Sequence, residues 1–307
     1  MAFSEKDIIS FIIEKSSSPG VVVGAGKDDC ACVSIGGKKL LLTSDIMFRS
    51  SHFPSALSLQ SIARKAVVAN ISDLASMGSK PLYILLSLGI PRNYPHIRPL
   101  TQGFKATCKE YNTMIIGGDT KCSKELTISI TAIGEARHNL LLRSNARAGD
   151  VIAVTGGIGS AFCGFHSLLN NKRTPHQLAG SFTHPKARVK EGMLLSKLPR
   201  AAAMDITDGL LYTASEISNA SKVRIDIDSK LIPIPEPALA YSKKHNIPFK
   251  KLINTGEDYE LLVSLSGRDF RRLKRKANLT RIGSVEKGKD LFLDGKKTGV
   301  KGYDAFG

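Results

Sequence analysis

Apolar residues recur at helical spacing in a segment that begins near Ser58 and ends at Gly78. Those apolar positions are Leu59, Ile62, Ala63, Ala66, Val67, Ile71 and Leu74. Spacing of three and four residues is typical of a helix with one face towards a core. Asn70 and Asp73 fall on the same face, and a carboxylate turned towards a core is costly unless it is paired or binds a metal. The pattern therefore predicts a helix whose Asp73 either accepts backbone N–H groups or holds a metal.

Short apolar runs between helical patterns predict a mixed α/β fold. Buried strands are expected at residues 40–45, 82–90, 114–116, 151–155, 201–205 and 261–265, and an alternating antiparallel strand at 126–134. Helices are expected after Ser4, over residues 99–111 and from Ser160. Polar residues cluster at 135–145. They predict two domains, residues 1–135 and 136–307.

Composition fits a soluble globular protein more than a membrane or secreted protein. The chain has 307 residues, of which 42% are hydrophobic and 23% charged. No apolar run approaches the roughly 20 residues of a membrane helix. Glu5, Asp7 and Glu14 interrupt any signal-peptide core. The five cysteines form no CxxC pair, so a cytoplasmic location without disulfides or a zinc site is expected.

The net charge of +17 leaves three explanations open: nucleic acid, anionic substrates or a lysine-rich surface. Basic residues are dense at 268–276, where Phe270, Leu273 and Ala277 form an apolar stripe opposite the arginines. That arrangement is typical of a solvent-exposed helix face. Aromatic residues make up 6% of the chain and tryptophan is absent, so base stacking has few candidates and nucleic-acid binding is not expected.

Acidic residues stand at strand ends and glycine turns, among apolar or small neighbours. They are Asp28, Asp29, Asp45, Asp73, Asp119, Asp205, Asp208, Glu257 and Asp258. Carboxylates held in this way suit Mg²⁺, which takes oxygen ligands and bridges to phosphates. Gly117 and Gly118 would let backbone N–H groups approach phosphate oxygens. A P-loop is absent, and the glycine loop at 156–159 lacks the third glycine of a dinucleotide site.

The order of the motifs resembles one family along nearly the whole chain. The motifs are KDDCACV, LLLTSDIMF, SSHF, KAVVANISDLASMG, IIGGDT, LLRSNARAGDVIAVTGGIGSA, DITDGL and TGEDYEL. Together they resemble the thiamine-monophosphate kinase family of the aminoimidazole-ribonucleotide-synthetase-like superfamily. The family makes thiamine diphosphate from thiamine monophosphate and ATP, with several Mg²⁺ ions. The resemblance implies a two-domain α/β fold whose N-terminal sheet forms a barrel-like interface in a homodimer.

The resemblance also implies roles for individual residues. Magnesium ligands would be Asp29, Thr43, Ser44, Asp45, Asp73, Asp119, Asp205 and Asp208. Contacts to ATP would come from Gly118, Asp119, Arg143 and Thr207. Thiamine monophosphate would contact His52, Glu257 and Tyr303, the last in place of a family aromatic residue that aligns with Val300. Asp73, Asp119 and Arg143 would be the catalytic residues.

Two classes of alternative remain open at this point. One is another ATP-using enzyme of the superfamily, such as a cyclizing ligase, selenophosphate synthetase or hydrogenase-maturation protein. The last needs a C-terminal cysteine, whereas this chain ends in Gly307, and selenophosphate synthetase needs an N-terminal one, whereas the first cysteine here is Cys30. The other class is a basic RNA-binding protein, whose binding would weaken with salt.

Overall fold

A computed structural model describes residue 8 and residues 11–13, 18–95 and 97–299 of the chain. The predicted first helix after Ser4 lies mainly outside these residues, as do Val300 and Tyr303. The described residues form two seven-stranded sheets, one in each half of the chain, with helices packed on them. The predicted two-domain α/β fold is thus confirmed, while the division at residue 135 stays a prediction.

The N-terminal sheet is built around three long or regular strands, with β7 in the middle between β3 and β4. Its strands are β1 (Val21–Val23), β2 (Ala31–Ile35), β3 (Lys38–Phe48), β4 (Lys80–Ile90), β5 (Met114–Gly117), β6 (Thr120–Cys122) and β7 (Thr127–Ala136). Alternate residues of β7 are buried, as its sequence pattern predicts. Because β7 pairs antiparallel with β3 over ten positions, β3 runs well beyond the buried strand predicted at 40–45, and it is only partly buried.

Within residues 18–136, three helices accompany this sheet: α1 (Arg49–His52), α2 (Leu59–Ser76) and α3 (Ile97–Glu110). Ser58 caps α2 by accepting the N–H of Ser61, and Gly78 follows the helix with φ +77°. The predicted helix is therefore present, but the prediction of a single buried face is wrong. Fourteen of its 18 residues are buried, because α3, the N-terminal sheet and elements of the C-terminal half all pack against it.

The C-terminal sheet has the strand order β14-β13-β10-β12-β8-β11-β9. Its strands are β8 (Asp150–Thr155), β9 (Ala202–Asp205), β10 (Arg224–Ile227), β11 (Leu261–Ser266), β12 (Leu279–Glu286), β13 (Leu291–Leu293) and β14 (Lys296–Thr298). Every residue of β8 and β9 is buried, since both lie in a sheet that is covered by helices. Asp205 is the last residue of β9 and pairs with Leu261 of β11. The acid therefore lies at the end of a buried strand.

Seven helices belong to this half of the described chain: α4 (Ser160–Leu169), α5 (His176–Thr183), α6 (Val189–Leu195), α7 (Leu210–Ser221), α8 (Glu236–Lys244), α9 (Phe249–Asn254) and α10 (Gly267–Leu273). The two halves meet closely at α2 and α6. A Cβ on Gly192 of α6 would lie 2.0 Å from the carbonyl oxygen of Ala75 on α2. Only a glycine allows the two helices to approach this closely. The basic side chains at 271–272 and 274–276 are exposed as predicted.

Candidate active site

Three carboxylates from three separate elements meet between the two halves of the chain. Asp29 precedes β2, Asp73 lies in the last turn but one of α2, and Asp205 ends β9. One oxygen from each lies within 4.8 Å of the other two. The Oδ2 atom of Asp205 is buried and has no hydrogen-bond partner among the described residues. We call Asp29, Asp73 and Asp205 the acid cluster.

Hydroxyl groups and one arginine contact the cluster. The Thr43 Oγ1 donates to Asp73 Oδ2 at 2.6 Å, and the Ser76 Oγ donates to Asp29 Oδ2 at the same distance. The Arg143 guanidinium pairs with Asp29 through Nη2. Among the described residues, neither Asp73 nor Asp205 has a cation within salt-bridge distance. The cluster thus carries more negative charge than its surroundings compensate.

Burial and mutual repulsion disfavour the ionised form of these acids. Burial is the largest cause that raises the pKa of Asp73 and of Asp205 well above the usual range, followed by the charge of Asp45 on the former and of Asp29 on the latter. Burial also raises the pKa of Asp45 to about 6, with a further contribution from Asp208. A bound cation would reverse both effects, and oxygen ligands of this kind suit Mg²⁺.

Arg143 is held in a network that fixes its guanidinium beside the cluster. It lies in a short 3₁₀ turn, Arg143–Asn145. Its backbone N–H donates to Asp28 Oδ2 at 2.9 Å, and its Nη1 lies 3.6 Å from Glu216 Oε2. Burial raises the pKa of Asp28 to about 7, and the charge of Asp29 adds to this shift. The role of Glu216 was not predicted from the sequence, because no local pattern places a residue of α7 beside Arg143.

A cleft with a volume of about 840 Å³ opens beside the cluster. Some of its lining residues are acidic or polar, namely Asp45, Asp73, Thr207 and Asp208. Others are apolar, and these include Met47, Phe53, Phe162, Phe165, Leu169 and Phe182. His52 and Glu257 also line the cleft. The lining therefore combines acids with aromatic side chains, as a ligand with a charged group and a ring would require.

His52 is oriented by its own short helix. The Phe48 N–H donates to His52 Nδ1 at 3.2 Å, and Ser51 Oγ lies 2.7 Å from the same atom. The imidazole stands beside the rings of Phe48 and Phe53, with centroids 6.0 and 6.4 Å away. Because Nδ1 accepts the backbone N–H, the proton of the neutral ring lies on Nε2. His52 therefore offers a hydrogen-bond donor from the wall of the cleft.

Each acid of the segment from Glu257 to Glu260 has its own partner. The Glu257 carboxylate pairs with Lys65 of α2. The Asp258 carboxylate accepts the Gly159 N–H at 2.9 Å at the start of α4. It thus occupies the place where the glycine loop at 156–159 would otherwise hold a phosphate. The structure therefore supports the absence of a dinucleotide site at this loop, as the sequence predicts.

Gly118 and Asp119 lie apart from the acid cluster, in the turn between β5 and β6. A Cβ on Gly118 would lie 1.8 Å from the carbonyl oxygen of Leu86, and its φ is +141°, so a glycine is required. The Asp119 side chain is 62% exposed and lies 3.6 Å from Lys121 Nζ. In this structure Asp119 does not line the cleft described above, and its predicted metal and nucleotide contacts stay predictions.

The two hydroxyl residues of β3 face opposite sides of the N-terminal sheet. Thr43 contacts Asp73, as described above, while the Ser44 Oγ lies 2.9 Å from Thr131 Oγ1 on β7. Side chains alternate across a strand, so only the carbonyl oxygen of Ser44 remains for a metal at the cluster. Tyr303, the remaining predicted substrate contact, lies outside the described residues.

Two family models match the chain, one in each half. The description "AIR synthase related protein, N-terminal domain" matches residues 27–136, and "AIR synthase related protein, C-terminal domain" matches residues 147–296. The thiamine-monophosphate kinase of Pyrococcus horikoshii is 33% identical over 291 residues, which are 94% of this chain and 90% of the relative. The chain belongs to the thiamine-monophosphate kinase family. The family predicted from the motifs is thereby confirmed.

Other thiamine-monophosphate kinases are similar over most of their length. That of Aquifex aeolicus is 32% identical, over 91% of this chain and 92% of the relative. The solved structure described as AaThiL complexed with AMPPCP and TMP is 30% identical, covers 99% of this chain and 97% of its own, and has a TM-score of 0.89. In the described residues, no helix of this family member is both long and apolar enough to cross a membrane.

Proposed function

We propose that this protein transfers the γ-phosphoryl group of ATP to thiamine monophosphate, which gives thiamine diphosphate. The observation that carries the proposal is the cleft of about 840 Å³, whose lining includes both acids and aromatic side chains, in a chain of this family. The acids would receive the phosphates with their cations. The aromatic side chains would receive the rings of thiamine.

The acid cluster fits Mg²⁺. Its donors are carboxylate oxygens within 4.8 Å of one another, one of them buried without a partner among the described residues. The metal ligands would be Asp29, Asp45, Asp73, Asp205 and Asp208, with Thr43, Ser44 and Asp119 completing the set proposed from the family motifs. When bound, Mg²⁺ would neutralise charge on the phosphates and on these acids.

The remaining residues would bind and orient the two substrates. Arg143 and Thr207 would contact the nucleotide, together with the backbone of Gly118, and the positive charge of Arg143 would offset phosphate charge. His52 would donate from Nε2, and Glu257 would accept from the ring that carries an amino group. Tyr303 would add an aromatic contact to the thiamine ring.

The reaction needs no strong general base, because the acceptor is itself a phosphate and is mostly a dianion at pH 7. The difficulty is to bring one anion onto another. Positioning and charge compensation therefore supply the catalysis, as in other phosphoryl transfers. We propose direct in-line transfer without a phosphoenzyme, which agrees with a site that holds acids and an arginine around the cluster.

A homodimer is part of the same proposal. Large apolar side chains are exposed on strands of the N-terminal sheet, namely Ile46, Phe48, Tyr83, Leu85, Met114 and Ile116. Exposed apolar side chains on one sheet support burial against another chain. The proposed arrangement assigns ATP binding and dimerisation to residues 1–135 and the second α/β domain to residues 136–307.

The decisive experiment incubates the protein with ATP, Mg²⁺ and thiamine monophosphate and separates the products by chromatography. Thiamine diphosphate and ADP should form in equal amounts. Denatured protein from an incubation with γ-labelled ATP alone should carry no label. Stoichiometric labelling would contradict direct transfer, and ADP formation without thiamine diphosphate would contradict the proposed acceptor.

A further inference from the structure

Lys65 is a buried cation that the reaction described above does not use. Its side chain lies on α2 and is 2% exposed. The Nζ atom pairs with Glu257 Oε2. It also lies 3.4 Å from the carbonyl oxygen of Phe182 and 4.0 Å from the centroid of the Phe182 ring. A charged ammonium is costly to bury unless it is paired. These contacts therefore explain how the fold accommodates the buried Lys65, but they do not give it a function.

Stability alone does not explain a buried pair at this position. Replacing a buried ion pair by apolar side chains of similar volume is often neutral or stabilising, and the surroundings here are apolar: Phe182 and Tyr259 belong to the same hydrophobic core as Ala66 and Ala69 of α2. The two members of the pair also differ in exposure. The Glu257 side chain is 37% exposed and lines the cleft, whereas Lys65 lies behind the wall.

The backbone at Glu257 is adapted to this orientation. Glu257 has φ +69°, and Tyr259 has φ +52°, a region that residues with a side chain rarely adopt. Strained backbone of this kind persists where the surrounding structure holds it. The Glu257 N–H donates to the carbonyl oxygen of Thr207 at 2.9 Å, so the carboxylate is fixed both through its own main chain and through Lys65.

We propose that Lys65 is a positioning residue for recognition of the acceptor substrate. From behind the cleft wall it orients the Glu257 carboxylate, so that this carboxylate accepts a hydrogen bond from an amino-substituted heteroaromatic ring. A carboxylate has about four lone-pair sites, and Lys65 occupies one side only. The inference rests on the proposed function, since it assigns to Lys65 the placement of one of the residues that would contact thiamine monophosphate.

The chain provides a matched control in the same segment. Arg188 forms a bidentate pair with Glu260, with Nε 2.6 Å from Oε2. This pair lies three residues from Glu257, ties the same segment to another helix, and does not line the cleft. An effect that comes from loosening the segment would appear with Arg188→Met. An effect that comes from placing the Glu257 carboxylate would appear with Lys65→Met alone.

The test measures KM for thiamine monophosphate and for ATP in wild type, Lys65→Met, Glu257→Gln, the double variant and Arg188→Met, with melting temperatures for each. Lys65→Met should raise KM for thiamine monophosphate roughly 10- to 100-fold, the usual range for a charged hydrogen bond, and leave KM for ATP nearly unchanged. The double variant should be no worse than Glu257→Gln, because both changes remove one interaction. Lys65→Arg should restore most of the affinity.

Equal losses for both substrates in Lys65→Met, or additive losses in the double variant, would overturn the inference. So would an Arg188→Met variant with the same selective rise in KM. If Lys65→Met does not fold, the double variant, which leaves no unpaired charge, is compared with Glu257→Gln. A higher KM for thiamine monophosphate in the double variant than in Glu257→Gln would contradict the positioning role. Failure of wild type to form thiamine diphosphate overturns the proposed function together with the inference, whereas activity with an unchanged KM in Lys65→Met overturns the inference alone.

Discussion

Two groups of buried or partly buried acids lie close together in this protein and are compensated in opposite ways. In the segment from Glu257 to Glu260 every acid has a partner within the chain: Lys65, the start of α4 and Arg188. In the acid cluster, only Asp29 pairs with a cation among the described residues, and one oxygen of Asp205 has no partner. In the first group, Asp258 and Glu260 are structural acids, whereas Glu257 also lines the cleft. The uncompensated charges of the second group support the proposal that it binds an external cation.

The largest effect is expected from Asp73→Asn, which removes one charge of the acid cluster. Activity should fall by orders of magnitude, because metal charge compensation supplies several kcal/mol. Without ligand, the melting temperature should stay the same or rise, since the pKa of Asp73 shows that its charge is disfavoured there. With Mg²⁺ and ATP, the variant should lose most of the stabilisation that ligand binding gives wild type.

This result is checked by melting curves with and without Mg²⁺–ATP and by the rate as a function of free Mg²⁺. A variant that melts well below wild type without ligand, yet keeps its rate once folded, would show that Asp73 belongs with the structural acids. The comparison between the two groups would then be wrong.

An intermediate effect, on stability only, is expected from Glu260→Gln. The variant leaves the guanidinium of Arg188 partly buried without its carboxylate, and Thr155 Oγ1 loses a charged acceptor at 2.6 Å. Breaking such a pair should cost about 2–4 kcal/mol. The free energy of unfolding is measured in urea, and the Mg²⁺ dependence of the rate serves as the readout for the cluster. If the Mg²⁺ dependence of the rate changed while the stability did not, Glu260 would have to be counted with the ligand-binding acids.

The smallest effect is a change in the pH dependence of stability at Asp258. Burial, as the largest cause, raises the pKa of Asp258 to about 8, although the Gly159 N–H opposes the shift. Because the folded state holds this proton more tightly than the unfolded state does, the stabilisation is complete below about pH 4 and is lost as the pH rises through about 8. Wild type should therefore lose stability over this range.

Asp258→Asn keeps an acceptor oxygen but cannot ionise. Its stability should fall less steeply with pH, by up to about 1.4 kcal/mol per pH unit relative to wild type. Urea unfolding of both proteins between pH 5 and pH 8.5 measures the difference. Parallel curves would mean that Asp258 is ionised throughout and that the start of α4 compensates its charge fully.

The sequence predicts features that depend on neighbouring residues better than features that depend on distant ones. The helix that ends at Gly78 follows from local spacing, and Asp205 stands at the end of its strand as its motif indicates. Asp45, in contrast, lies inside β3, because pairing with β7 extends that strand to Phe48. The pairing of Lys65 with Glu257 joins residues 192 positions apart, and no local pattern encodes it. The available signal was Lys65 in a run of α2, residues 61–69, that otherwise contains only apolar or small residues and Arg64.

The extensive burial of α2 could not be predicted from the sequence either. The pattern of one apolar stripe does not show how many elements will pack against the remaining faces of the helix. Ser61, Ser72 and Ser76 are polar, yet all are buried. The C-terminal half packs on α2, where Gly192 permits a close approach at Ala75, and it adds to the cover from α3 and the N-terminal sheet. The face of the sheet that Ser44 occupies depends likewise on pairing with β7.

The complete enclosure of α2 has a consequence for motion. Backbone amides in a helix covered by both halves of the molecule exchange their hydrogens with solvent only when the whole structure opens, whereas amides near a surface exchange through small local openings. We therefore expect the amides of Lys65 and Asp73 to exchange slowly, because 14 of the 18 residues of α2 are buried. Asp73 would then be a fixed reference against which substrates are aligned, and a change in the width of the cleft would come from lining residues that are not tied to α2, such as those at 50–54.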